Sequence, residues 1–205
     1  MHYNENKTKI TDILNYILSV LPTLFWGTLI LGFEGEYMAF TTIICAIIHE
    51  AGHLLYLFLF TPSCYRMKSV VFGLKIKAVS VLSYDDELML YLCGPLSNCI
   101  FGIIFLLLAL RGGDFFYSLS VLNLATAASN LLPIEGYDGY GILRVLFEKR
   151  FHTGFMLKVL SAISAILIFV FCLLSIYLID RYGGGYWIFA VFFTQMIKHI
   201  KKAVD

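Results

Sequence analysis

The sequence predicts an all-α polytopic membrane protein. Six transmembrane helices form a single domain over residues 1–205, with a small membrane-associated β-hairpin between the second and third. Three observations predict this class. The 205 residues are 60% hydrophobic and only 14% charged, with a mean hydropathy of +0.82, whereas a soluble domain carries about 25% charged residues. Apolar runs recur at a length that crosses a bilayer, which takes ~20 residues as a helix. Lysine and arginine are distributed unequally between the loops: with a cytosolic N-terminus and six spans, thirteen fall on the cytosolic side, and Arg111 and Arg181 fall outside. That asymmetry follows the positive-inside rule and places both termini in the cytosol. A formal net charge of +1 carries no electrostatic footprint for nucleic acid.

The first span, about 13–33, follows a polar N-terminal stretch and is expected to kink at Pro22. It is longer than a signal-peptide core and ends in GFEGEY without a small-residue cleavage site, so it reads as uncleaved. The second, about 38–60, carries the most informative stretch in the chain, His49-Glu50-Ala51-Gly52-His53. On a helix the two histidines leave the same face one turn apart, a spacing that grips one tetrahedral Zn²⁺. Glu50 falls beside the metal, where a general base is needed. Imidazoles and a carboxylate at membrane depth are costly, which makes them functional candidates. One zinc per chain is the expected cofactor.

After Pro62 the residues 64–83 change character. Val70, Val71, Ile76, Val79 and Val81 supply β-branched stretches that suit a hairpin, with Gly73 as its bend. Asp85-Asp86-Glu87 then reads as a helix N-terminus opening the third span, about 88–110. Within it Gly94, Asn98 and Gly102, spaced by four, form a narrow polar seam for close helix approach, and Asn98 is also a candidate to face the site.

The turn Arg111-Gly112-Gly113-Asp114 leads into the fourth span, about 115–132. The stretch from Asn130 to Gly139 holds Pro133, Gly136 and Gly139 and is expected to be irregular throughout. Such backbone is tolerated at membrane depth only where protein or a water-filled cavity surrounds it. Gly141 to Arg150 reads as a short amphipathic helix, followed by spans five and six, about 156–179 and 185–197.

Depth selects a third ligand. His53 lies seven residues before Phe60, about 10 Å from the cytosolic end of its helix. Asn130 is fifteen residues past Phe115, about 22 Å into a ~30 Å core. The irregular segment therefore arrives at a similar depth to the histidines, on the cytosolic side. Asp138 is the expected third ligand, Glu135 its nearest rival, and His152 lies too far out. Three protein ligands suffice for a catalytic zinc, so Cys45, four residues before His49, is expected to be a small buried hydrophobe like the other cysteines.

With HEAGH, GPLSN and NLLPIEGYDG on three successive helices, the chain resembles the site-2 protease family of intramembrane zinc metalloproteases. It looks most like the minimal prokaryotic type, similar to the proteases that process sporulation sigma factors. The resemblance implies that His49, His53 and Asp138 bind zinc and that Glu50 is the catalytic base. It also implies that Asn130 positions substrate or stabilises the oxyanion, a role open to Asn98 as well. The implied partners are a transmembrane or membrane-associated protein substrate and the lipid bilayer of a prokaryotic cell membrane. The family commonly has a second proline and a Gly-Gly pair around the aspartate. This chain has Gly136 and Gly139-Tyr140 instead, and Glu135 adds a carboxylate. Two other classes compete on sequence alone: a metal transporter, and a catalytically silent relative that captures membrane peptides.

Overall fold

The computed structural model describes residues 36–60, 65–70, 73–78, 82–151, 154–183 and 186–204. The first predicted span, 13–33, and His152 lie outside them. The described elements are α1 (Glu36–Phe60), β1 (Tyr65–Val70), β2 (Gly73–Ala78), α2 (Tyr84–Ala109), α3 (Asp114–Asn130), α4 (Asp138–Phe151), α5 (Gly154–Tyr182) and α6 (Tyr186–Val204).

Each long helix buries one narrow stripe and turns large apolar side chains outward. On α1 the buried face runs through Thr41, Cys45, His49, Gly52, His53 and Tyr56. Ile47, Leu55 and Phe58 on the other side are 62%, 59% and 73% exposed. In α2 the stripe is Leu90, Gly94, Asn98 and Gly102, spaced by four, so the seam read in the sequence is the packing face. The same spacing recurs on α5 in Leu160, Ser164, Ile168 and Cys172. An apolar exterior around a partly polar interior is the arrangement of a membrane protein, whose solvent is hydrocarbon.

The count of six spans is not what the described helices establish. Three of them, α1, α2 and α5, are long and apolar enough to cross a membrane. At 17 residues α3 reaches about 25 Å, short of a ~30 Å core. The apolar part of α6 is the shorter stretch Ile188–Ile200, after which Lys201 and Lys202 continue the helix.

Between α1 and α2, β1 and β2 pair antiparallel, with Tyr65 opposite Ala78 and Val70 opposite Gly73. Gly73 opens the second strand rather than making the bend. Ser83 caps α2 by accepting from the Asp86 amide at 3.1 Å, satisfying one of the free N–H groups of the first turn. Its acidic first turn then meets the other helices: Asp86 accepts from the Tyr56 hydroxyl of α1 at 2.9 Å. Glu87 pairs with Arg144 of α4, and Asp85 with Lys149.

The irregular segment is shorter than expected. The chain is helical to Asn130 and helical again from Asp138, leaving residues 131–137 as the connection. Gly136 there has φ of 99°, a left-handed conformation that glycine adopts without strain. Ile134 anchors the segment: it is fully buried with Ile168 and Cys172 of α5 and Phe192 of α6. The Glu135 amide donates to Ser164 Oγ at 2.8 Å.

Candidate metal centre

Three elements converge on one point. His49 and His53 come from the buried face of α1, and Asp138 is the first residue of α4. The sequence pattern puts Asp138 within irregular backbone; instead the loop ends one residue before it, and a helix start holds it. Gly139 makes this possible, because a Cβ at that position would lie 2.1 Å from the Leu131 carbonyl oxygen. The two sides of the connection therefore close against each other at the place where the carboxylate must turn toward α1.

The three donor atoms form a small triangle. His49 Nε2 and His53 Nε2 are 3.2 Å apart. Asp138 Oδ2 lies 3.0 Å from the first and 3.4 Å from the second. All three side chains are nearly buried; the histidines are 8% and 7% exposed. A tetrahedron with metal–ligand bonds of ~2.0–2.1 Å has edges of about 3.3 Å, so the triangle has the dimensions of one face of a zinc site.

The tautomers agree. His53 Nδ1 is 2.8 Å from the Leu90 carbonyl oxygen, which can only accept, so Nδ1 carries the proton and Nε2 presents a lone pair. His49 Nδ1 is 2.8 Å from Asn98 Oδ1, with the same consequence. Two imidazole lone pairs and a carboxylate oxygen thus face one another, and Asp138 Oδ2 is buried without a hydrogen bond. A proton on one Nε2 would relieve part of this; a divalent cation relieves every contact at once. The residues fit the metal that the sequence predicts.

The approach of α2 is built for this cluster. Gly94 backs directly onto the imidazoles, and a Cβ there would fall 2.3 Å from His53 Nε2 and 2.8 Å from His49 Cε1. Any side chain at that position would occupy the space of the ligands themselves. The glycine that the sequence marks as part of a packing seam is therefore also a wall of the site.

Glu50 follows His49 on α1, half-buried, with Oε2 shielded from solvent. The other expected residues divide. Glu135 is not one of the clustered ligands; its carboxylate stands 3.9 Å from His199 Nε2 of α6. Cys45 is buried beside the cluster, and its sulfur accepts from Asn123 at 3.1 Å. Asn130 closes α3, its amide donating to the Thr126 carbonyl at 3.0 Å.

Asn98 requires a correction. It is fully buried, its Nδ2 donates to the Cys45 carbonyl at 3.0 Å and to Asn123 Oδ1 at 2.8 Å, and its oxygen serves His49. With both amide hydrogens spent on the protein, the donor expected for an oxyanion is already committed. Asn123, also fully buried, is not singled out by the sequence: it is a lone amide in the apolar run of α3, seven residues before Asn130. Its only signal there is an amide at membrane depth, which demands a partner.

Comparison with known proteins bears on the fold around this cluster. No protein-family profile matches the chain. A zinc metalloprotease of Methanocaldococcus jannaschii is 27% identical over 170 residues, which is 77% of this chain and 46% of the relative. The chain thus matches less than half the length of that protein. The site-2 protease of Methanocaldococcus jannaschii superposes with a TM-score of 0.65 at 20% identity, over 90% of this chain and 87% of that one. The resemblance to the site-2 protease family drawn from three motifs therefore holds in the fold as well.

Proposed function

We propose that this chain, which resembles the site-2 proteases in fold and motif, is an intramembrane zinc metalloprotease that hydrolyses peptide bonds of membrane-embedded or membrane-associated proteins. The observation that carries the reading is the triangle of His49 Nε2, His53 Nε2 and Asp138 Oδ2, with edges of 3.0–3.4 Å and both imidazole protons turned away from it.

A zinc ion held there supplies a Lewis acid that acidifies water and polarises the scissile carbonyl. Glu50, next to a ligand and with one carboxylate oxygen shielded from solvent, takes the proton of the attacking water and returns it to the leaving amine. Three protein ligands, His49, His53 and Asp138, would leave a four-coordinate zinc one position for water or substrate, as in catalytic rather than structural sites. With Asn98 committed, Asn130 is the remaining amide to position substrate or its oxyanion. A transmembrane substrate hides its amides in helical bonds and has to unwind before cleavage. Pairing with an edge of the β1–β2 hairpin would hold it extended and supply the partners that hydrocarbon lacks. The positive-inside distribution favours cytosolic termini and an active site on the same side, and the resemblance implies a prokaryotic cell membrane.

The first test is metal content per purified chain. Wild type and Glu50→Gln should each hold about one zinc, and Glu50→Gln should lose cleavage by ~10²-fold or more. His53→Ala and Asp138→Ala should lose the metal, while Glu135→Ala keeps it. A wild type without stoichiometric metal after gentle preparation would overturn the reading.

A further inference from the structure

Two asparagines from different helices lie behind His49, and together they leave no amide hydrogen unassigned. Asn123 Nδ2 donates to the Leu119 carbonyl at 2.8 Å and to Cys45 Sγ at 3.1 Å. Its oxygen accepts from Asn98 Nδ2 at 2.8 Å, and the second hydrogen of that nitrogen goes to the Cys45 carbonyl at 3.0 Å. Asn98 Oδ1 is then the atom that faces His49 Nδ1 at 2.8 Å. Asn98, Asn123 and Cys45 are 0%, 0% and 1% exposed, so water does not substitute for any of these partners.

The direction of this chain is fixed at its far end. Backbone carbonyls cannot donate, so the groups facing Leu119 O and Cys45 O must both be amide nitrogens. Turning Asn123 over would set its oxygen against Leu119 O. Turning Asn98 over would set its oxygen against two acceptors, Cys45 O and Asn123 Oδ1, while its nitrogen faced the imidazole. Each reversal buries an unsatisfied carbonyl in a low-dielectric interior, where such groups are most costly. With both amides fixed, an acceptor faces His49 Nδ1, and the ring must carry its proton there.

We propose that Asn123, acting through Asn98, is a positioning residue that locks His49 in the Nδ1–H tautomer and so reserves the Nε2 lone pair for the metal. The inference rests on the metal-centre reading for its purpose, though not for its geometry. His53 reaches the same state through one backbone carbonyl; His49 Nδ1 instead faces Asn98 and relies on the amide pair. Partners of this kind behind a ligand typically change metal affinity ~10–100-fold when removed. The rival account is that the amides only join helices, as polar groups do in membranes.

The two accounts separate in one set of measurements on the full-length protein in detergent. Nitrogen-15 spectra of histidine-labelled, metal-free protein, at a pH where the ring is neutral, report the tautomer. Zinc affinity is read against a competing chelator. Wild type should show His49 protonated on Nδ1. Asn123→Leu should show mixed tautomers and bind zinc ~10-fold more weakly, and Asn98→Leu ~10–100-fold more weakly. Ser120→Ala, which removes the buried bond to the Gly102 carbonyl on the same face of α3, should match wild type in both readouts.

Wild-type His49 protonated on Nε2 would overturn the proposal, and that spectrum needs no variant to fold. An Asn123→Leu protein with wild-type tautomer and affinity would overturn it too. So would a Ser120→Ala protein weakened as much as Asn123→Leu, since loss of helix packing would then be the cause. Wild type that binds no zinc yet shows Nδ1–H would overturn the metalloprotease reading and leave the lock standing.

Discussion

His49, His53 and Asp138 are legible in the sequence alone because each occupies a costly place. A four-residue spacing of histidines within an apolar run admits few other uses, and a carboxylate at the same depth needs a cation or a partner. Asn123 is not legible for the opposite reason: it is a lone amide among apolar neighbours, and its partners belong to α1 and α2, at distances along the chain that no spacing rule covers. Asn98 stands out in the sequence, but its neighbour does not. A helical seam specifies which face is polar; only packing specifies what that face meets. The wall at Gly94 gives the most direct test at this scale. Gly94→Ala adds one methyl group where the imidazoles sit, 2.3 Å from His53 Nε2, so it should lose zinc as fully as His53→Ala does. Metal content of the purified variant checks this, and a Gly94→Ala protein with a full zinc complement would mean that α2 stands farther from the ligands.

At the scale of elements, α4 is the piece whose placement decides the third ligand. Its start at Asp138 differs from expectation because glycines and a proline read locally as continued irregularity. Gly139 in fact serves close contact with the Leu131 carbonyl inside the first helical turn. Farther along α4, Arg144 pairs with Glu87 and approaches the Tyr91 hydroxyl at 3.4 Å, fixing α4 against α2. Burial disfavours the guanidinium charge, but Tyr91, Glu87 and Glu148 around it offset that and hold its pKa above the ordinary value. Arg144 and Glu87 are 33% and 25% exposed in their side chains, so solvent screens the pair and its worth is about 1 kcal/mol. Arg144→Met should therefore lower the melting temperature by only a few degrees, yet weaken zinc binding several-fold by loosening the helix that carries Asp138. Thermal unfolding measured beside chelator competition would show both; an unchanged zinc affinity would assign Asp138's position to the connection at 131–137 instead.

For the whole molecule, composition and charge placement convey the class, and among the described residues three helices long and apolar enough to cross a membrane agree with it. The exact number of crossings is not legible, because α3 is short and α6 combines an apolar start with a basic end. Hydropathy measures affinity for lipid, whereas a short helix against α2 is held by packing. Sidedness is open to measurement. Single cysteines introduced at Asp205 and at Arg111, in a background free of other reactive thiols, should differ: the first protected from an impermeant reagent in intact cells, the second labelled. Labelling of both would overturn the cytosolic C-terminus that the charge distribution predicts.

The connection between α3 and α4 has one more consequence. Ile134 is embedded in the α5–α6 cluster and Glu135 is tethered to Ser164, so the segment leading into Asp138 is tied to the second half of the chain, while Arg144 ties the helix that Asp138 opens to α2 of the first half. An ion held by His49, His53 and Asp138 would add one more joint between the two helical groups, and part of its binding energy would be cohesion. Under the proposed function, whatever parts the groups to admit a substrate would also pull on the metal, and the tightness of that joint would limit how far they can part.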